Sequence, residues 1–172
     1  MENLAGPSFP RSSLLLQVMI WVEDRVQWVF AFAVLALLCV KPYLHRYPAG
    51  VAFNEFLLML CYMPLQALRS WLGTAGNKQE RAVLLAFFLG LSSVTISVTG
   101  YFLLLQTYAF YLESILAATA MILALLETLQ GAWAGSSFCD GLSEFGFVFL
   151  GFAAAAASAA LLFGLSPVTL LP

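Results

Sequence analysis

Four charged side chains in this sequence stand among apolar residues, and they form two pairs with one spacing. Glu55 and Arg69 are 14 residues apart, and so are Glu113 and Glu127. On an α-helix, 14 steps of about 100° return to within about 40° of the start, so each pair shares a helix face. Two kinds of chemistry suit such residues. The carboxylates at Glu55, Glu113 and Glu127 can carry protons or accompany ions through an apolar interior, or the charges can hold helices together as ion pairs. If both helices run from the same side, Arg69 and Glu127 each lie ~21 Å beyond their partners, at one depth. An isolated charge there costs at least about 2.5–3.5 kcal/mol. We therefore expect Arg69 and Glu127 to approach each other across helices two and four. The alternative is that Arg69 reaches the interface and Glu127 bonds to Gln130 or the backbone.

The elements that must position these charges follow from composition. The chain has 172 residues, 62% of them hydrophobic and 9% charged, where a soluble domain carries about 25% charged residues. No charge occurs in the 31 residues between Arg81 and Glu113, nor in the 28 after Glu144. A helix of about 20 apolar residues spans a bilayer core, and these runs lack the polar face that a soluble helix needs. The expected fold is an all-α integral membrane protein, a polytopic helical bundle. A β-barrel is disfavoured, because its strands alternate polar and apolar residues over about 10 positions. The net charge of −2 leaves no electrostatic footprint for nucleic acid.

Residues 1–11 read as a polar tail. Ser12-Ser13 can cap a helix starting near Leu14, which meets Glu23-Asp24-Arg25. That helix either lies in the interface or forms a long tilted span from Leu14 to Val40 with its charges facing protein. The charged triplet also argues against a cleavable signal. Lys41-Pro42 is expected to end the span, before a loop with His45. The second span runs from about Val51 to Leu72, with Pro64 as a kink. Gly73-x-x-Gly76-Asn77 reads as a helix stop and tight turn, since Gly and Asn accept left-handed backbone angles. The third span starts near Ala82 and ends near Gln106 or Tyr108. The fourth covers Glu113 to Ala134. A polar linker, 135–144, leads to a final apolar run, Phe145–Leu165, within a C-terminal segment 145–172. Four spans over 12–134 and a fifth C-terminal helix are thus expected.

Cationic residues set the expected orientation. Arg11, Arg25, Arg69, Lys78 and Arg81 fall on one side, against Lys41 and Arg46 on the other. This places the N-terminus and the Leu68–Arg81 hairpin in the cytoplasm. Trp21, Trp71 and Trp133 then lie near one interface and Tyr43, Tyr47, Tyr108 and Tyr111 near the opposite one, as aromatic belts. In the third span Gly90, Ser93, Ser97 and Gly100 form a small-residue seam, read as a helix-packing surface within the fold or toward a homo- or hetero-oligomeric partner. Small side chains in 145–165 suit close helix contact as well.

Enzymatic motifs are lacking. The sequence has no H-E-x-x-H, P-loop or G-x-S-x-G. The one histidine, His45, sits in a loop, and Asp24 and Asp140 sit in polar breaks, which disfavours intramembrane serine and aspartate proteases. No catalytic residue, cofactor or metal is expected. Cys39 and Cys61 read as packing residues, and Cys139 as a candidate palmitoylation site beside a span.

Several segments resemble the small ciliary membrane proteins of the transmembrane protein 17, 80 and 216 family. The likeness runs from about Ser12 to Gln130. It rests on the opening SSLLLQVMIW, on Tyr47-Pro48 followed by Glu55, and on Arg69-x-x-x-Gly73-x-x-Gly76-Asn77 with Glu80-Arg81 after it. YFLLLQTYAFYLES, Tyr101–Ser114 with Gln106, resembles the transmembrane protein 216 branch. The resemblance implies a non-enzymatic component of the ciliary transition zone, partnered by tectonic-type membrane proteins, that supports ciliogenesis and the membrane diffusion gate. Two features depart from the family pattern: Gln66 replaces an acid three residues before Arg69, and the run 145–165 is additional to four spans. The reading from a different class is a small channel or transporter subunit using Glu55, Glu113 and Glu127.

Overall fold

A computed structural model describes residues 12–44 and 50–138. They form four long helices: α1 (Leu14–Leu44), α2 (Val51–Gln79), α3 (Ala82–Leu104) and α4 (Tyr111–Phe138). Each is long and apolar enough to cross a membrane. Each packs against its neighbours in sequence, and α4 closes the ring against α1. This is an up-down-up-down bundle with short connections between α2 and α3 and between α3 and α4. The expected fifth span, the 135–144 linker beyond Phe138, the tail 1–11, and His45, Arg46, Tyr47 and Cys139 lie outside the described residues.

The helix bounds agree with the long first helix from Leu14, one of its two readings, and correct several other expectations. The α1 helix passes unbroken through Glu23-Asp24-Arg25, because each charge has a place. Glu23 is buried, Asp24 accepts a hydrogen bond from Ser70 Oγ at 2.6 Å, and Arg25 lies over the exposed Trp21 ring at 5.8 Å. Ser13 Oγ accepts from Leu16 N at 3.3 Å, as an N-cap does. Lys41-Pro42 does not stop the helix, which continues to Leu44. Nor do Gly73, Gly76 and Asn77 end α2. They lie inside it, and the left-handed residue is Glu80, at φ 54°.

The glycines serve close approach instead. A Cβ on Gly73 would fall 2.8 Å from the Phe88 ring, and one on Gly76 would fall 3.0 Å from the Leu85 backbone nitrogen. The bare helix surface lets α3 lie directly against α2. The α3 helix ends at Leu104, before Gln106, and α4 begins at Tyr111 and runs beyond Ala134.

The buried residues of α2 are spaced 4, 3, 4, 3 and 4 along Glu55, Met59, Tyr62, Gln66, Arg69 and Gly73. The same spacing runs through Leu16, Ile20, Glu23, Gln27 and Phe30 in α1, and through Glu113, Ala117, Ala120, Ala124 and Glu127 in α4. This is a heptad seam. The 14-residue separation of the charges is two heptads, so they occupy equivalent seam positions. Large apolar side chains such as Phe32, Leu60, Phe87 and Ile122 point outward, as a lipid environment requires.

The interior is layered. At the end holding Ser13 and Phe138, an apolar cluster forms around Leu16, Ile20, Leu85, Phe88 and Leu89. A second cluster, around Phe30, Val34, Met59, Val98 and Phe102, fills the other half. Charged and amide side chains form one layer between the clusters and another at the far end.

Candidate functional site: two buried charge clusters

The inner cluster draws on all four helices. Arg69 Nη2 donates to Glu23 Oε2 at 2.5 Å and to Glu127 Oε2 at 2.7 Å, and all three side chains are fully buried. Arg69 Nη1 donates to Thr95 Oγ1 of α3 at 3.4 Å, and the guanidinium stands 5.5 Å from the Phe88 ring centre. Glu23 has further donors: Gln66 Nε2 at 3.1 Å and Gln27 Nε2 at 2.8 Å. Gln27 Oε1 in turn accepts from the Tyr62 hydroxyl, which lies 3.4 Å from Thr99 Oγ1. One guanidinium thus bridges two carboxylates, and a polar network ties α1 to α2, α3 and α4. Gln66, three residues before Arg69, donates to Glu23, and the acids that face Arg69 come from α1 and α4.

The outer cluster organises the α3–α4 connection. Lys41 Nζ forms a buried ion pair with Glu113 Oε2. Glu113 also accepts from Gln106 Nε2 at 2.9 Å and from Phe110 N at 3.4 Å. Glu55 accepts from Thr107 N and Oγ1, both at 3.4 Å, and from the Tyr101 hydroxyl at 3.5 Å. Lys41 Nζ sits 5.4 Å from the Phe110 ring centre. Two carboxylates and one ammonium therefore hold residues 105–110 against the bundle end. Glu55 and Arg69, although on one face, serve different clusters.

A third contact joins the start of α1 to the end of α2. Asn77 Nδ2 donates to Ser13 O at 2.8 Å, and Asn77 Oδ1 accepts from Ser13 N at 3.0 Å. Gln17 Nε2 donates to Thr74 Oγ1 at 3.3 Å, and Ser12 N to Glu80 Oε1 at 3.1 Å. Replacing Asn77 with Leu removes both bonds to Ser13; Ser13 O keeps Gln17 N as a donor, but Ser13 N loses its acceptor, a cost of about 1–3 kcal/mol. The expected result is faster proteolysis at the start of α1 in detergent. Unchanged cleavage kinetics would show that the clasp does not hold that end.

Phe88 is wedged between glycines. A Cβ at Gly131 of α4 would lie 2.7 Å from its ring, on the side opposite the clash at Gly73. Gly131→Val is expected to destabilise the bundle by about 1–3 kcal/mol through overpacking. Phe88→Leu in the same chain should recover part of that loss. Equal thermal stability of Gly131→Val and the parent in detergent would refute the wedge.

The small-residue seam of α3 divides. Gly100 and Ser97 are buried, Ser93 is half-buried, and Gly90 faces open space. Ser93 and Ser97 donate to the backbone carbonyls of Leu89 and Ser93 in their own helix. The interior polar face of α3 is formed by Ser92, Thr95 and Thr99. Gln27, Tyr62 and Thr95 are not singled out by the sequence, which offers Glu23 only as one of three adjacent charges on a tilted span and Lys41 only as a span end. The seam spacing that carries Leu16, Ile20 and Phe30 marks the α1 members of this set. Among the described residues, no group of three or more His, Cys, Asp or Glu side chains converges as a metal site.

The Transmemb_17 family profile, described as that of a predicted membrane protein, matches residues 18–124. The chain belongs to this family. The matched range contains Glu23, Lys41, Glu55, Arg69 and Glu113 and stops just before Glu127. Among relatives, the chain is 28% identical to transmembrane protein 216 of Mus musculus over 105 residues, covering 61% of this chain and 74% of the relative. The Homo sapiens protein of the same name is 27% identical over 105 residues, with 61% and 72% covered. No solved structure matches. The Transmemb_17 assignment agrees with a multi-pass helical membrane protein.

Proposed function

We propose that this protein is a non-enzymatic structural component of a ciliary transition-zone membrane complex, where it supports ciliogenesis and the membrane diffusion gate. Membership in the Transmemb_17 family, together with the motif likeness at Arg69–Arg81 and Tyr101–Ser114, supports this reading. The observation that carries the structural role is the way the charges are used. Arg69 is shared by Glu23 and Glu127, Lys41 is paired with Glu113, and Glu55 holds the 105–110 connection.

Between the clusters, Phe30 meets Tyr62 and Phe102 edge-on at 6.2 and 6.1 Å. The interior is filled there, which favours a scaffold over a conduit lined by free carboxylates. The N-terminus and the α2–α3 turn face the cytoplasm, in line with the cationic bias and with the exposed Lys78 and Arg81 at that end. The partners are tectonic-type membrane proteins and the surrounding lipids.

A tagged copy in ciliated cells tests this reading. Proximity labelling should enrich transition-zone membrane proteins, and the tag should concentrate at the ciliary base. Enrichment of general secretory-pathway proteins without them would overturn the proposal. Flux through purified protein in liposomes, abolished by Glu127→Gln, would establish the transporter reading instead.

A further inference from the structure

Four buried side-chain atoms have no hydrogen-bond partner among the described residues: Gln66 Oε1, Arg69 Nε, Gln106 Oε1 and Glu127 Oε1. Gln106 lies in the α3–α4 connection, next to the exposed Thr107. The other three belong to the inner cluster, on residues no more than 1% exposed.

Those three atoms also lie close together. Gln66 Nε2 and Arg69 Nη2 both donate to Glu23 Oε2, at 3.1 and 2.5 Å, and Glu127 Oε2 accepts from the same Nη2 at 2.7 Å. The open atoms belong to the same planar amide, guanidinium and carboxyl groups, so covalent geometry keeps each near the shared contact. A buried polar atom left unpaired is costly, and more so beside charges in a dry interior.

The count of donors and acceptors identifies a ligand. Arg69 Nε needs an acceptor, whereas Gln66 Oε1 and Glu127 Oε1 need donors. A metal cation offers no acceptor and is repelled by the guanidinium. A halide offers no donor and is repelled by two carboxylates. Water offers both, and a buried water typically makes about three hydrogen bonds to such groups. Small side chains contribute to the same layer, Ala124 from α4 and Ser92 and Thr95 from α3, where bulky ones would take the space that a water needs.

We propose that the inner cluster binds one buried water molecule, which accepts from Arg69 Nε and donates to Gln66 Oε1 and Glu127 Oε1. The inference concerns the interior of the bundle and holds whichever membrane contains the protein, so the localisation experiment does not bear on it.

Hydroxyl-radical labelling of the full chain in detergent micelles tests it, because radiolysis of a bound water modifies side chains that bulk water does not reach. Phe88, whose ring centre is 5.5 Å from the Arg69 guanidinium, and Phe102, in the other apolar cluster, are both fully buried. Phe88 should be labelled several-fold faster than Phe102. Equal rates would overturn the proposal. Leu16 and Leu85 share the apolar cluster of Phe88 and lie nearer the bundle end. Corrected for intrinsic reactivity, they should be labelled more slowly than Phe88. Faster labelling there would mean that bulk water enters from the end, and would also overturn the proposal. Gln66→Leu removes one acceptor and should lower the rate at Phe88 with Leu16 unchanged. An unchanged Phe88 rate would refute the assigned site. If Gln66→Leu loosens the whole bundle, Phe102 rises with Phe88, and the ratio of the two in the parent chain still decides.

Discussion

Arg69→Met is expected to lose most of the stability of the folded bundle. The substitution keeps the length of the side chain and removes the only cation of the inner cluster. Glu23 and Glu127, both within 2.7 Å of one guanidinium nitrogen, then face each other in a dry interior. Removing one partner from a buried ionic set costs about 3–5 kcal/mol, because the remaining charge is left uncompensated. A membrane bundle whose interior depends on that set is expected to unfold at a much lower SDS fraction in mixed micelles. Arg69→Met/Glu23→Gln/Glu127→Gln should recover much of the loss, since it removes the stranded charges together.

The two carboxylates are not equivalent. Glu23 also accepts from Gln27 and Gln66, whereas Glu127 Oε1 has no hydrogen-bond partner. Glu23→Gln should therefore be the more damaging single change. Parent-like unfolding of Arg69→Met would refute the role assigned to the cluster.

The second large effect is expected at Lys41. Lys41→Met leaves Glu113 buried without its ammonium partner, at a cost in the same range of about 3–5 kcal/mol. Here the loss has a local signature, because Glu113 also holds Gln106 and Phe110 N. Proteolysis or hydrogen exchange should accelerate first in residues 105–110. Lys41→Met/Glu113→Met should restore stability more than it restores order in that connection, because Gln106 and Phe110 N remain without their acceptor. If exchange rises equally along all four helices, the cluster does not act on the loop.

Part of this arrangement was legible in the residues. The equal spacing of Glu55/Arg69 and Glu113/Glu127 placed Arg69 and Glu127 at one depth, and the charge-free run between Arg81 and Glu113 marked α3. Glu23 was harder to read, because three consecutive charged residues resemble an interruption. Only the positions around it, Ile20, Gln27 and Phe30, reveal that it takes a seam position while Arg25 faces outward. Gly73 and Gly76 were misread for a physical reason. Their backbone freedom suits a turn, but their lack of a side chain suits a helix crossing equally well, and sequence alone does not distinguish the two uses. The actual left-handed residue, Glu80, has no local signal. The contact of Asn77 with Ser13 joins residues 64 apart and becomes visible only when α1 and α2 lie side by side.

The wide sequence separation between Lys41 and Glu113 has a consequence for how the protein is made. Synthesis delivers Glu23 and Arg69 on consecutive helices, so their attraction is available once α1 and α2 have emerged. Lys41 must wait for α4, 72 residues later. Until then it is a lone ammonium at the edge of hydrocarbon, carrying a penalty of up to about 2.5–3.5 kcal/mol if it is drawn to the bilayer centre. Nascent chains arrested before Glu113 should therefore remain beside the insertion machinery, detectable by cross-linking, and chains extended past Glu127 should leave it. Release of both at the same rate would remove this ordering. The arrival of α4 then marks the moment at which a partly made chain becomes a protein that the lipid can accept.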